Sequence, residues 1–136
     1  MDIPTKFLLS QKIFAILLGM IGLGTSASAQ TSYKNVNVAA FEQLIHADSV
    51  QIVDVRTPAE YAAGHVENAI LVNVQDPQFA HNADSLLDKH KMLAVYCRSG
   101  HRSAIASAAL VAKGYKVTNL QGGILAWIEE KKPVVK

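Results

Sequence analysis

From residue 35 onward, short runs of β-branched and apolar residues alternate with longer stretches whose apolar positions recur at helical spacing. NVNV (35–38) predicts a strand, and AAFEQLIHA (39–47) a helix with Phe41, Leu44 and Ile45 on one face. Asp48 and Ser49 interrupt that helix, and VQIVDV (50–55) predicts the next strand. TPAEYAAGH follows, with Thr57 placed as N-cap, Pro58 at the first helical position and Gly64 as the stop. AILVNV (69–74) predicts another strand, DPQFAHNADSLLDKH (76–90) one or two helical turns around Phe79, Leu86 and Leu87, and MLAVY (92–96) a continuously apolar strand. RSAIASAALVAKG (102–114) is helical by composition, starting near Arg102 or Ser103 and stopped by Gly114 at C′. KVTNL (116–120) predicts the last strand, and after the Gly122–Gly123 turn ILAWIEEK predicts a closing helix cut off by Pro133.

Strands this short, alternating with helices, build βαβ units. The expected fold class is α/β: a small, mainly parallel central sheet flanked by helices on both faces. The unbroken apolar MLAVY suits a central strand covered on both sides.

The first thirty residues follow a different pattern. Lys6 and Lys12 precede an apolar run from Ile13 to Gly24, and the small residues TSASA come next, the order found in a secretory signal peptide. The run is about 12 residues, short of the roughly 20 that span a bilayer as a helix. Ala27 and Ala29 fit an A-x-A cleavage site, so residues 1–29 are expected to be removed. Residues 30–136 would then be one exported domain, periplasmic or secreted, with no cysteine at its start to carry a lipid and no membrane attachment. Cleavage removes Asp2, Lys6 and Lys12 and takes the formal charge from +2 to +1, which offers nothing to nucleic acid or an anionic membrane.

Export makes the cysteine count informative. Cys97 is the only cysteine, so it cannot form an internal disulfide, and in an oxidising compartment it must either be buried or serve a purpose. It stands in VYCRSGHRSA (95–104), at the carboxyl end of the central-strand candidate, where open α/β sheets bind ligands. A polar loop running into a helix start can turn successive N–H groups onto one point. Gly100 permits a tight curl, and Arg98 and Arg102 add two fixed charges. A cation in the first turn of a helix opposes the helix dipole, a cost that a bound anion would offset. The same features favour thiolate over thiol at Cys97. His46, His81, His90 and His101 have no ligand spacing and there is no second cysteine, so neither a metal nor another cofactor is expected.

Three segments carry a family resemblance. DVRTPAEYAAGHVENAI (54–70), VYCRSGHRS (95–103) and NLQGGILAW (119–127) occur in the order and spacing of the single-domain rhodaneses, and the chain resembles that sulfurtransferase family over residues 36–130. The resemblance implies a rhodanese-like fold in which Cys97 is the catalytic nucleophile. It would take sulfane sulfur from a donor such as thiosulfate, hold it as a persulfide and pass it to cyanide or a thiol. It also implies a substrate cradle of Arg98, Ser99, Gly100, His101 and Arg102, with the two arginines fitting a dianionic donor. Asp54, Arg56, Glu60, His65 and Ser103 are implied as structural support: Asp54 and Arg56 buttressing the loop, a paired Arg56 and Glu60 pinning the short helix, His65 a hydrogen-bonded turn residue, Ser103 bonding loop backbone. Asn68 stands where many relatives place glycine, and Trp127 is expected in the core.

Two other functions compete. One is a partner-directed sulfur carrier, or a module that binds a redox protein of the cell envelope. The other is a cysteine-dependent phosphatase or arsenate reductase, whose Cys-x5-Arg ring surrounds phosphate; here Cys97 to Arg102 is Cys-x4-Arg, a tighter ring suited to one sulfur atom.

Overall fold

Alternation of the predicted kind closes into a parallel sheet. A computed structural model describes Ser32–Lys136; the expected signal peptide and its cleavage site lie outside the described residues. Strands β1 (Lys34–Val36), β2 (Val50–Asp54), β3 (Ile70–Leu71), β4 (Met92–Tyr96) and β5 (Lys116–Leu120) alternate with helices α1 (Val38–Ile45), α2 (Pro58–Ala63), α3 (Phe79–Leu86), α4 (His101–Ala112) and α5 (Gly123–Glu129). The strand order is β1-β5-β4-β2-β3, and every pairing is parallel. No helix among the described residues is long and apolar enough to cross a membrane.

β4 is the central strand, and its side chains alternate between two cores because successive Cβ atoms point to opposite faces. Leu93 and Val95 join Val53, Val55 and Val117 under Phe79 and Ala83 of α3 and Ala106, Leu110 and Val111 of α4. Ala94 and Tyr96 join Ile52 and Leu120 under Val38 and Phe41 of α1 and Ile124 and Trp127 of α5. Phe41 meets both Tyr96 and Trp127 edge to face, with centroids 6.4 and 6.1 Å apart.

Local signals set the helix ends. Thr57 accepts from the Glu60 N–H and Glu60 accepts from the Thr57 N–H, a capping box with Pro58 just inside. α4 ends in a Schellman motif, with Gly114 donating to Val111, Tyr115 to Leu110, and Gly114 at φ +101°.

Several boundaries differ from expectation. α4 starts at His101 rather than near Arg102 or Ser103, because Gly100 adopts φ +118° and supplies the N-cap. β3 keeps only two residues of AILVNV, since it is an edge strand paired on one side; beyond it Val72 donates to the Asp54 carbonyl and Val74 to that of Val55. Leu86 is half exposed at the end of α3, and Leu87 is the residue that enters the core.

Candidate active site

β2 and β4 are neighbours, but the chain continues from β2 to β3 at one edge and from β4 to β5 on the other side. Loops that diverge in this way open a crevice at the carboxyl ends of the two strands. α4, which follows β4, packs on one face, while Tyr61 of α2, which follows β2, packs on the other.

Cys97 is the first residue after β4 and is 1 % exposed. The Gly100 N–H donates to its Sγ at 3.0 Å. Burial pushes the thiol up, but the Ser103 hydroxyl and the N–H groups of Ser103, Gly100 and Ser99 all favour negative sulfur and together hold it below its ordinary value. The Ser103 hydroxyl also faces the Gly100 carbonyl at 3.3 Å, so one proton serves two acceptors, of which a thiolate is the stronger. Backbone amides and Ser103 therefore carry the stabilisation that the sequence distributed between amides and arginines.

The loop is held from behind by α5. The Ile124 N–H donates to the Cys97 carbonyl at 2.9 Å and the Leu125 N–H to the Arg98 carbonyl at 3.1 Å. A trans peptide points its carbonyl and N–H in opposite directions, so drawing the Arg98 carbonyl toward α5 turns the Ser99 amide toward the sulfur. Gly123 is what permits the approach. A Cβ there would run into the Arg98 carbonyl and stand 2.7 Å from the Cys97 carbonyl oxygen, and the residue is also at φ +63°.

Arg102 does not stand free in the cradle. Its Nη1 and Nη2 each donate to one oxygen of Glu60 at 2.8 Å. This replaces the expected Arg56–Glu60 pair. Arg56 instead binds Asp54, with Nε at 2.9 Å from one oxygen and Nη2 at 2.7 Å from the other. The cause is steric: Asp54 and Arg56 both leave the end of β2 on the buried side, 0 and 5 % exposed, whereas Glu60 faces the loop across the crevice. Arg98, Ser99 and His101 are exposed at the rim.

Asp54 and Arg56 buttress the α2–β3 turn more than the loop. Arg56 Nη2 donates to the Gly64 carbonyl at 2.7 Å, the Tyr96 hydroxyl donates to Asp54 at 2.6 Å, and the Val66 N–H donates to the Tyr96 oxygen at 3.0 Å. Burial first, and then the neighbouring Asp54 carboxylate, push the Tyr96 hydroxyl far above its ordinary value and keep it a donor. His65 stacks on Tyr61 with centroids 3.7 Å apart, places Nδ1 at 2.8 Å from the Tyr61 carbonyl, and exchanges two backbone hydrogen bonds with Val135. It acts as a turn residue. Asn68 has φ +70°, the backbone for which asparagine substitutes for glycine.

Sequence reasoning missed Tyr96 and the amides of α5. Tyr96 was read as strand core, although it pairs in register with Asp54. Nothing in the local pattern of residues 124 and 125 shows that their N–H groups reach back to residues 97 and 98.

Residues 37–130 match the family described as the rhodanese-like domain. The chain is 34 % identical to thiosulfate sulfurtransferase 18 of Arabidopsis thaliana over 81 % of its own length and 89 % of that protein. It is 38 % identical to a sulfurtransferase of Allochromatium vinosum over 69 % of its length and 86 % of that protein. A rhodanese-related protein from Thermoplasma volcanium superimposes with a TM-score of 0.67 at 33 % identity, covering 76 % of this chain and 98 % of that one. A buried thiol in a ring of amides after the central strand, on a chain so matched, supports sulfur transfer of the rhodanese type. The chain belongs to the rhodanese-like domain family.

Proposed function

We propose that the protein is an exported thiosulfate sulfurtransferase working through a persulfide on Cys97. The observation that carries this reading is the convergence of the Ser99, Gly100 and Ser103 amides and the Ser103 hydroxyl on one buried sulfur. The Cys97 thiolate attacks the outer sulfur of thiosulfate, the S–S bond of the donor breaks, and sulfite leaves with the electron pair. The amides then hold the charge of the terminal persulfide sulfur as they held that of the thiolate. Cyanide or a thiol attacks that sulfur next, and Cys97 regains its thiolate. No proton has to be abstracted by a side chain, in keeping with the structural role of His65. Arg98 at the rim orients the sulfonate end of the donor. Export, and a redox protein of the envelope as a further acceptor, belong to the same proposal.

The test is thiocyanate formation from thiosulfate and cyanide by residues 30–136, abolished in Cys97→Ser. Hydrolysis of aryl phosphates without sulfur transfer would overturn the reading in favour of a phosphatase. The intact mass of the exported protein checks cleavage after Ala29.

A further inference from the structure

Beside the catalytic loop runs a groove of about 250 Å³ lined by Ala63, Arg98, Ile124, Leu125, Ile128 and Val134. Neither Cys97 nor residues 99–103 take part in its wall, so the groove lies next to the reacting sulfur and does not hold it. Leu125, Ile128 and Val134 are 43, 49 and 40 % exposed. Three apolar side chains from two segments gathered on one wall are not scattered surface residues. The wall is held in place, because the backbones of His65 and Val135 exchange two hydrogen bonds of 2.8 Å and the Trp127 indole donates to the Pro133 carbonyl at 2.8 Å.

The charges of the lining do not cancel. Arg56 is matched by Asp54 and Glu60 by Arg102, whereas Arg98 forms no ion pair among the described residues. The groove thus joins an apolar wall to one uncompensated cation carried by the loop. At about 30 Å³ per water-sized group it has room for roughly eight such groups, which is a carboxylate and a chain of about five carbons. The groove also meets the frame of the catalytic loop. Ile124 and Leu125 line it, and their N–H groups are the ones that hold the Cys97 and Arg98 carbonyls.

We infer that this groove binds a free, unbranched monocarboxylate of about six carbons, with its chain on Leu125, Ile128 and Val134 and its carboxylate on Arg98. An anion held at Arg98 sends its chain along α5 and away from the sulfur, so the ligand is neither donor nor acceptor but an effector of the site. It occupies the cation that orients the sulfonate end of the donor, and thiosulfate then binds more weakly. That effector role rests on the sulfurtransferase reading, whereas the binding site stands on the groove alone.

The experiment reads binding and turnover separately. Residues 30–136 carrying labelled methyl groups are titrated with hexanoate, hexanol or acetate and followed by nuclear magnetic resonance, and thiocyanate formation from thiosulfate and cyanide is measured in parallel. Hexanoate is expected to shift the methyl signals of Leu125, Ile128 and Val134 and to bind about fivefold more tightly than hexanol, the scale of one exposed charge pair. Acetate, which lacks the chain, leaves those signals in place at the same concentration. Arg98→Gln removes the preference for hexanoate over hexanol. Ile128→Ser and Val134→Ser, both at exposed positions, each weaken hexanoate by about fivefold, the effect of losing one apolar contact. Saturating hexanoate raises the Michaelis constant for thiosulfate by about fivefold and leaves kcat unchanged. Equal affinity for hexanoate and hexanol, acetate binding as tight as that of hexanoate, or shifts that spare these three residues overturns the site. Binding with an unchanged Michaelis constant overturns the effector role. A chain that forms no thiocyanate even without hexanoate overturns the sulfurtransferase reading and the effector role with it, while the methyl titration still decides the site.

Discussion

Arg102 and Glu60, 42 residues apart, meet through two hydrogen bonds of 2.8 Å, and the pair places a neutralised arginine at the mouth of the sulfur cradle. Glu60→Gln keeps the capping interaction of α2, which glutamine also makes, and releases the charge of Arg102. The Michaelis constant for thiosulfate is expected to fall by about threefold, as befits an exposed charge. Arg102→Ala does the opposite, leaving an unpaired carboxylate that repels the dianion. An uncharged sulfur donor, assayed in parallel, should respond to neither change.

The same pair fixes a pH dependence. The hydrogen bonds from Arg102 are the main cause that lowers the Glu60 carboxyl from its ordinary 4.5 to about 2. A carboxyl depressed in the folded state contributes stability that is complete above its unfolded value and is lost as pH falls through the folded one. Acid titration followed by circular dichroism should show wild type more stable than Glu60→Gln above pH 4.5, with the difference vanishing toward about pH 2.

Ser103 contributes a side-chain hydroxyl, the largest of the influences that favour negative charge on Cys97. Ser103→Ala should move the rise of thiolate ultraviolet absorbance to higher pH and slow persulfide formation at neutral pH by about tenfold, the scale of one hydrogen bond to a charged group. An unmoved titration would assign the lowered thiol to the amides alone.

Gly123→Ala forces the Arg98 carbonyl to retreat. Overpacking of this kind costs about 1–3 kcal/mol of stability, readable from denaturant unfolding. Its effect on catalysis should be larger, about a hundredfold loss of turnover, because a displacement of ångström scale misaligns the reacting atoms.

Asp54→Ala strands a buried guanidinium and should destabilise the fold by about 3 kcal/mol or more. Tyr96→Phe removes the hydroxyl that links Asp54 to the Val66 N–H and should cost about 1–2 kcal/mol. Thiosulfate kinetics of the folded fraction should stay near wild type in Tyr96→Phe, since the network supports the turn at Gly64 and Val66.

The fold was largely legible because period and punctuation agree along this chain. MLAVY and KVTNL match their strands residue for residue, and the Thr57 cap and the Gly114 stop fall where the spacing places them. The nucleophile was legible for the same reason: a cysteine between a buried strand and a helix start has its surroundings written in neighbouring residues. Partners across the crevice were not. Which of two arginines takes Glu60 depends on where β2 aims Arg56, and the service of α5 to the loop is performed by backbone groups that every sequence possesses.

The docking of α5 also orders events in time. The cradle needs amides from residues 124 and 125, and β1, the first strand, pairs with β5, the last. A chain emerging from its N-terminus reaches Cys97 well before either contact can form. Until the final helix settles, the carbonyls of Cys97 and Arg98 lack the donors that hold them, so the loop gains its full support only once α5 has docked.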